Sequence, residues 1–189
     1  MKLVLASSSP RRKQLLTEYG YDFSVKVSQY DESNLTLSPK EMVKEYALGK
    51  ALSVFNSIPD KENCVVLGAD TIVVYNDKVL GKPKGRQDAI DTLKLLSNKT
   101  HSVLTGYAII SNEIQNVTFV ETFVTFNDLS DQLIVDYVNS SLPLDKAGSY
   151  GIQDGYNLVK EINGSYNNVV GLPIEIIKEE LDVLLKKPQ

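Results

Sequence analysis

Asp70 and Thr71 lie in the middle of residues 64–75, a stretch that is otherwise apolar enough for a strand buried on both faces. Removing a carboxylate from water costs several kcal/mol unless it is paired, bound to a metal or protonated. Asp70 is therefore the candidate catalytic residue of the sequence. The alternative is a structural aspartate, held by backbone N–H groups at a bulge or strand end, because ion-pair networks also hold buried acids.

Ser7 begins a polar cluster near the start of the chain, directly after a short apolar segment. The cluster predicts a turn from a strand into a helix, with Ser9 as the N-cap and Pro10 as the first helical residue. Such a turn presents hydroxyls, free N–H groups and the positive end of the helix beside two guanidinium groups, those of Arg11 and Arg12. Phosphate is the natural ligand of this arrangement, and an ordinary helix cap with two solvated arginines is the alternative.

Two lysines occupy positions where a positive charge needs an explanation. Lys50 lies on the apolar face of a predicted helix, three residues after Ala47 and four before Val54. The aliphatic part of the side chain could extend past the edge of the core, so that the ammonium reaches solvent. Alternatively, the ammonium lies in a cleft next to an anion. Lys82 lies between a glycine and a proline, in a stretch that lets the backbone approach a ligand closely. That second pattern, taken alone, also fits a surface lysine in a loop.

Two more polar side chains lie in predicted loops. Gln153 ends a glycine-rich loop that begins at Lys146, and its amide carries one donor group and one acceptor. Uracil and thymine present N3–H beside a carbonyl oxygen, so Gln153 is a candidate reader of such a base, although most glutamines lie on the surface. Glu32, in the acidic turn 30–34, could reach a metal or a water, and a solvated loop is the simpler explanation of that turn.

Periodicity and cap signals predict the elements that must position these residues. Strands are expected at 3–6, 23–27, 64–75, 103–110, 117–126 and 158–162. Helices are expected after Ser9, from Ser38 to about Asn56, at 89–96, at 129–139 and around an inner face of Ile174, Ile177, Leu181 and Leu184. The single histidine, His101, has no serine, cysteine or aspartate motif around it, which excludes a histidine-based triad and leaves it a structural role.

Composition and charge limit the classes of partner. The 189 residues are 42% hydrophobic and 23% charged, typical of a soluble globular protein, and we expect one domain over residues 1–189. The net charge of −4 argues against a nucleic-acid polymer or a membrane surface and favours a small ligand. One cysteine, Cys64, excludes an internal disulfide, and no apolar run is long enough for a signal peptide or a membrane span. We therefore expect a cytoplasmic location.

Seven separated motifs resemble those of one family. They are Leu-Ala-Ser-Ser-Ser-Pro-Arg-Arg at 5–12, Asp31-Glu32, Lys50-Ala51, Gly-Ala-Asp-Thr at 68–71, Gly-Lys-Pro at 81–83, Ala-Gly-Ser-Tyr-Gly-Ile-Gln at 147–153 and Asn-Val-Val-Gly-Leu-Pro at 168–173. In this order the chain resembles the Maf family of nucleoside triphosphate pyrophosphatases nearly from end to end. Two positions depart from the family pattern: Asn98 replaces the glycine of the usual Leu-Ser-Gly, and Asp154 follows Gln153 where glycine is common.

The resemblance implies a reaction and a fold. The reaction is hydrolysis of a nucleoside triphosphate between the α- and β-phosphates, with a divalent metal, Mg²⁺ or Mn²⁺, to a monophosphate and pyrophosphate. The glutamine-bearing loop is similar to that of the branch acting on dTTP and UTP, with CTP and modified pyrimidine nucleotides as further candidates. The implied fold is α/β, a mixed, twisted sheet flanked by helices, in two lobes around a central cleft, often in homodimers.

The resemblance also implies roles for individual residues. The implied substrate-binding residues are Ser7, Arg11, Arg12, Lys50, Thr71, Lys82 and Gln153, of which Arg11, Thr71 and Gln153 set specificity. Asp70 is the implied proton acceptor, and Glu32 and Asp70 are the implied metal residues. Burial would raise the proton affinity of Asp70 into the range of a general base, unless a metal holds it ionised and it orients a metal-bound hydroxide instead. The sequence leaves both roles open.

Two other functions fit the same sequence. The first is the same reaction with a preference for 7-methyl-GTP or another modified nucleotide. The identity of the base that Gln153 reads distinguishes it from a preference for dTTP and UTP. The other is a non-enzymatic, nucleotide-binding regulator of cell division. Release of pyrophosphate by the pure protein discriminates the enzyme from the regulator.

Overall fold

The computed structural model describes residues 1–32 and 36–185. In these residues the β-strands are β1 Lys2–Leu5, β2 Phe23–Val25, β3 Cys64–Tyr75, β4 Lys78–Leu80, β5 Thr100–Ile110, β6 Gln115–Phe126 and β7 Val159–Asn163. The α-helices are α1 Pro10–Glu18, α2 Pro39–Asn56, α3 Arg86–Leu96, α4 Asp131–Asn139, α5 Tyr166–Val170 and α6 Ile174–Leu185, with 3₁₀ turns at Leu142–Asp145 and Ala147–Ser149. No helix in the described ranges combines the length and the apolarity that crossing a bilayer would take.

The strands form one mixed sheet in the order β2-β1-β3-β5-β6-β7, with β4 paired to β3. Strand β1 runs parallel to both β2 and β3, whereas β3 with β4 and β6 with β7 are antiparallel. The sheet and its helices confirm the predicted α/β class.

The chain divides into two compact units. Unit 1 contains the described residues of 1–70, 105–120 and 171–189, and unit 2 contains residues 71–104 and 121–170. Strands β3, β5 and β6 therefore each contribute residues to both units. The single domain over residues 1–189 stays a prediction.

The core of unit 1 is formed by α2 packed on strands of the sheet. Its buried members are Val4, Ala6, Ala47, Ala51, Val54, Phe55, Cys64, Val66, Ala108 and Ile110. Two glycines lie directly under α2: a Cβ on Gly68 would lie 2.4 Å from the carbonyl oxygen of Ala47, and a Cβ on Gly106 would lie 2.1 Å from that of Val43. Because neither position has room for a side chain, the helix backbone packs against the strand backbones, and α2 side chains come unusually near β3.

The core of unit 2 is built by α3, α4 and the facing strands. Its buried members include Val73, Leu93, Leu96, Val103, Phe126, Ile134, Tyr137, Val138, Tyr150 and Leu158. His101 is buried beside this core, with Nε2 2.8 Å from Tyr150 Oη and its ring edge-on to Phe126. That environment agrees with the structural role predicted for His101.

The cap signals in the sequence are confirmed. Ser9 accepts a hydrogen bond from Arg12 N at the start of α1, and Ser38 and Glu41 form a capping box at the start of α2. The predicted inner face of α6 is also confirmed, since its four apolar residues are all buried. Strand β2 ends at Val25, two residues earlier than predicted, and helix α5 was not predicted because its five residues are too few to show a helical period. The predicted acidic turn extends to Ser33 and Asn34, which lie outside the described residues.

Candidate functional site

Lys50 lies between two carboxylates of unit 1. Its Nζ is 2.6 Å from Asp70 Oδ1 and 2.6 Å from Glu32 Oε1. The Lys50 and Asp70 side chains are 17% and 13% exposed, so this pair is largely removed from water, whereas Glu32 is 46% exposed. The Lys50 ammonium therefore lies next to an anion and does not extend into solvent, which is the second of the two interpretations of this lysine. The anions are side chains of the protein itself.

The packing of α2 on β3 explains why this pair forms. Successive residues of a strand point to opposite faces, so Asp70 shares a face with Gly68, which lies against Ala47 and Ala51 of α2. Lys50 lies one turn beyond Ala47 on the same side of the helix. A larger residue at position 68 would push the helix outwards and lengthen the Lys50–Asp70 contact.

Tyr30 holds the acidic turn against the same helix. A Cβ on Gly49 would lie 2.3 Å from the Tyr30 ring, so the ring packs directly on the backbone of α2, one residue before Lys50. Tyr30 also packs against Tyr46 with 6.4 Å between ring centroids. Burial raises the pKa of the Tyr30 hydroxyl, and the negative charges of nearby glutamates, Glu32 among them, add to that rise. This packing places Glu32 within reach of Lys50.

Arg12 is the buried cation of the cluster. Its Nε donates to the carbonyl oxygen of Gly171 at 2.8 Å, and its Nη1 donates to Ser7 Oγ at 3.1 Å. Burial lowers the pKa of Arg12, while the negative charge of Asp70 acts in the opposite direction. An arginine keeps its proton in proteins even so, and Arg12 adds a fixed positive charge near Asp70. Ser7 orients that charge, since its hydroxyl accepts the Arg12 hydrogen bond.

Unit 1 thus brings together most of the predicted site residues. They are Ser7, Arg12, Glu32, Lys50 and Asp70. Arg11 precedes Arg12 in α1, and its positive charge adds to the lowering of the Arg12 pKa by burial. The turn at the start of α1 combines a capped helix N-terminus with guanidinium groups, as the sequence predicted. What the sequence did not indicate is that Arg12 would be buried and bonded to a carbonyl 159 residues later.

The other predicted site residues, Thr71, Lys82 and Gln153, belong to unit 2. They lie in β3, in the segment after Gly81 and in the loop that ends at Gln153. The Gly148 amide donates to the Gly81 carbonyl oxygen at 3.1 Å, which joins the Gln153 loop to the residue before Lys82. Gly148, at φ +68°, has no room for a side chain because its Cβ would lie 2.7 Å from Val73 Cγ2. Strand alternation puts Thr71 on the same face of β3 as Val73.

Lys82 and Gln153 are exposed, and Thr71 is half-buried. Three residues that sequence reasoning did not assign to the site hold the Gln153 loop in place, namely Tyr137, Lys146 and Asp154. Tyr137 is also a buried core residue of α4. The one signal for Asp154 in the sequence is its departure from the family pattern beside Gln153.

The carboxylates of unit 1 suit one kind of metal site. In residues 1–32 and 36–185, no group of three or more His, Cys, Asp or Glu side chains is arranged to hold a metal ion. Mg²⁺ is usually bound by one or two carboxylates together with waters and substrate phosphates. Glu32 and Asp70 are such a pair, and the Lys50 ammonium shows that their oxygens already converge on one cation. This donor set fits a metal that is shared with a polyphosphate.

The chain belongs to the Maf family, whose model, described as Maf-like protein, matches residues 2–184. Several relatives carry one particular name. The dTTP/UTP pyrophosphatase of Acetivibrio thermocellus is 45% identical to this chain over 99% of both chains. Proteins of the same name from Bacillus mycoides and Bacillus cereus are 50% and 49% identical, each over 95% of this chain and 94% of the relative. The comparisons confirm the family that the seven motifs predicted.

Proposed function

We propose that this protein is a nucleoside triphosphate pyrophosphatase that hydrolyses dTTP and UTP to the monophosphate and pyrophosphate. The observation that carries the proposal is the cluster of Asp70, Lys50 and Glu32 beside the buried charge of Arg12. The names of the relatives, which align with nearly the whole chain, support the same substrates.

The proposed reaction is attack of water on the α-phosphorus. A bond forms between the water oxygen and that phosphorus, the bond to the oxygen bridging the α- and β-phosphates breaks, and pyrophosphate leaves. Asp70 accepts the proton that the water loses. Positioning and charge neutralisation supply most of the catalysis in phosphoryl transfer, and Arg11, Arg12, Lys50 and Lys82 are the cations assigned to it.

Lys50 has two successive partners in this proposal. Without substrate its ammonium neutralises Asp70 and Glu32. A triphosphate carries far more negative charge than the two carboxylates, so Lys50 turns towards the phosphates when substrate binds, and Asp70 becomes available as the base. Glu32 and Asp70 are the residues that would hold a divalent metal, Mg²⁺ or Mn²⁺, which when bound would neutralise phosphate charge. A metal held by Asp70 would keep its carboxylate ionised, and Asp70 would then orient the attacking water instead of accepting its proton.

Gln153 is assigned to the base. Its amide oxygen accepts the N3–H of uracil or thymine, and its amide NH₂ donates to the neighbouring carbonyl oxygen. Thr71 and Arg11 are assigned to specificity with it. The cytoplasmic location, the homodimer and the use of CTP or modified pyrimidine nucleotides stay predictions.

A panel of nucleotides tests the proposal. The purified protein is incubated with dTTP, UTP, CTP, dATP, dGTP and 7-methyl-GTP, each with Mg²⁺ and with Mn²⁺, and monophosphate and pyrophosphate are measured. We expect equal amounts of the two products, formed fastest from dTTP and UTP. A preference for 7-methyl-GTP would move the protein to another substrate class. Nucleotide binding without pyrophosphate release would make it a non-enzymatic binder.

A further inference from the structure

Gln153 lies on a short turn that is closed by its own backbone. The Asp154 amide donates to the Gly151 carbonyl oxygen at 3.1 Å, so Ile152 and Gln153 are the two central residues of a four-residue turn. The Gln153 side chain is exposed there. A group on such a turn recognises a base well only when the backbone is already fixed, because ordering a mobile loop on binding lowers the affinity.

One tyrosine hydroxyl contacts both ends of this turn. The Gly151 amide donates to Tyr137 Oη at 2.8 Å, and Tyr137 Oη donates to Asp154 Oδ2 at 2.6 Å. Tyr137 is fully buried on α4 within the core of unit 2, so its hydroxyl is a fixed point. Burial and the Asp154 carboxylate raise the pKa of Tyr137, which keeps the hydroxyl protonated and able to donate.

Lys146 supports the same carboxylate from a buried position. Its Nζ lies 3.4 Å from Asp154 Oδ2 and 3.0 Å from Asp145 Oδ1, and it donates to the carbonyl oxygen of Leu142. A Cβ on Gly151 would lie 2.6 Å from Lys146 Cε and 2.7 Å from Asp154 Oδ2. The absence of a side chain at Gly151 therefore lets these groups close around the turn.

The backbone that leads into the turn is strained. Ser149 has φ +60°, the left-handed conformation that a residue with a Cβ rarely adopts. Its side chain is fully buried, and its Oγ has no hydrogen-bond partner among the described residues. Strain of this kind persists only where the surrounding structure fixes the backbone, and it clusters in segments that bind ligands.

We propose that Tyr137, Asp154 and Lys146 are positioning residues for base recognition: they hold the turn at Gly151–Asp154 rigid so that Gln153 meets the base without being ordered by it. The proposal rests on the proposed function, in which Gln153 reads the base. Tyr137 is its central residue because a single hydroxyl contacts both ends of the turn.

Tyr137→Phe is the direct test, because it removes both hydrogen bonds and keeps the ring in the core. The KM for dTTP and UTP is expected to rise about tenfold, from the loss of hydrogen bonds that include one to a charged group, with kcat within about twofold of wild type. Discrimination between dTTP and dATP, measured as the ratio of kcat/KM values, is expected to fall by a similar factor. Amide hydrogen exchange in residues 151–154 is expected to be faster than in wild type.

Tyr21→Phe is the matched control. Tyr21 Oη donates to Asp182 Oδ1 at 2.9 Å, a bond of the same type in unit 1, and its loss is expected to leave KM, discrimination and exchange in 151–154 unchanged. A second pair separates geometry from charge. Asp154→Asn retains an oxygen acceptor for Tyr137 and is expected to keep most of the discrimination, whereas Asp154→Ala is expected to lose it.

The two readouts separate this proposal from the function on which it rests. Wild type that releases no pyrophosphate from dTTP would overturn the proposed function, and the exchange measurement would still test the positioning role. Unchanged exchange in residues 151–154 of a folded Tyr137→Phe protein would overturn the positioning role, as would unchanged discrimination in a wild type that does prefer dTTP. Should Tyr137→Phe fail to fold, Asp154→Ala and Asp154→Asn give the same two measurements.

Discussion

Unit 1 and unit 2 hold their predicted residues in different ways. In unit 1 the predicted residues contact one another: Lys50 pairs with Asp70 and Glu32, and Arg12 bonds to Ser7. In unit 2 the turn that carries Gln153 is held by residues that were not predicted for the site, above all Tyr137, which contacts Gly151 and Asp154. Charged groups in apolar surroundings are anomalous and can be recognised from sequence. The position of a neutral side chain such as Gln153, which is proposed to recognise the base, depends on packing that only the fold reveals.

The largest effect is expected at the charged cluster of unit 1. Asp70→Asn keeps the size of the side chain and an oxygen near Lys50 but removes the proposed proton acceptor. Because a positioned general base contributes about a hundredfold to ten-thousandfold, kcat for dTTP should fall by such a factor, measured as pyrophosphate release. Asp91→Asn, on the exposed side of α3, is the control and should retain full activity. Equal turnover by wild type and Asp70→Asn would show that the base has been wrongly assigned.

The packing that positions this cluster can be tested separately. Gly68→Ala places a Cβ 2.4 Å from the Ala47 carbonyl oxygen, a contact that only a shift of α2 can relieve. Overpacking of this kind should lower the free energy of unfolding by about 3 kcal/mol, measured by urea denaturation. Gly85→Ala is the control, since nothing lies within 4 Å of its Cβ position, and as the N-cap of α3 it should lower the free energy of unfolding by at most about 1 kcal/mol. Similar losses in both variants would contradict a specific packing position under α2.

In unit 2 the buried side chain of His101 is expected to make the stability of the protein depend on pH. Burial lowers the pKa of His101 to about 4. The unfolded chain binds a proton at this residue near pH 6.5 and the folded chain does not, so stability falls as pH decreases from 6.5 towards 4, by roughly 3 kcal/mol in all. His101→Gln, which keeps a hydrogen-bonding group near Tyr150, should lose this pH dependence. An unchanged slope between pH 6.5 and 4 in that variant would assign it to other groups.

The smallest effect concerns the strained backbone before Gln153. Ser149→Gly removes the steric strain at φ +60° together with a buried hydroxyl that lacks a partner in the described residues. The relief of strain exceeds the entropic penalty of glycine, so the free energy of unfolding should rise by about 1 kcal/mol, measured by thermal or urea denaturation. Ser140→Gly, at an ordinary helical φ of −63°, is the comparison: it relieves no strain and loses the hydrogen bonds of its hydroxyl with Tyr137 O and Leu142 N, so it should destabilise the protein by about 1–2 kcal/mol. A loss of stability in Ser149→Gly would show that its hydroxyl is satisfied in solution.

Much of the fold was predictable because its signals are local. The caps of α1 and α2, the inner face of α6 and the long strand around Asp70 were each recognisable within one stretch of sequence. Lys50 was recognisable because a charge on an apolar helix face is unusual. These signals need no knowledge of which elements are neighbours.

The remaining features depend on contacts that are distant in the chain. Arg12 bonds to Gly171, and Gly68 lies under Ala47, pairings that no local pattern specifies. Tyr137 fills an apolar position of α4, so its role as a hydrogen-bonding residue for the Gln153 turn was hidden by its role in the core. A glycine within a strand indicates a close approach, but it does not identify the partner.

The proposal that Gln153 of unit 2 selects the base is tested most directly by Gln153→Glu. A carboxylate cannot donate to a pyrimidine carbonyl oxygen, and it suits the neighbouring donors of a guanine edge better. The measurement is the ratio of kcat/KM for dTTP to kcat/KM for 7-methyl-GTP, in wild type and in the variant. We predict a fall of at least about tenfold in that ratio, the scale set by one lost hydrogen-bonded pair at a recognition site, with the melting temperature nearly unchanged. An unchanged ratio would contradict the account, because base selection would then not depend on Gln153.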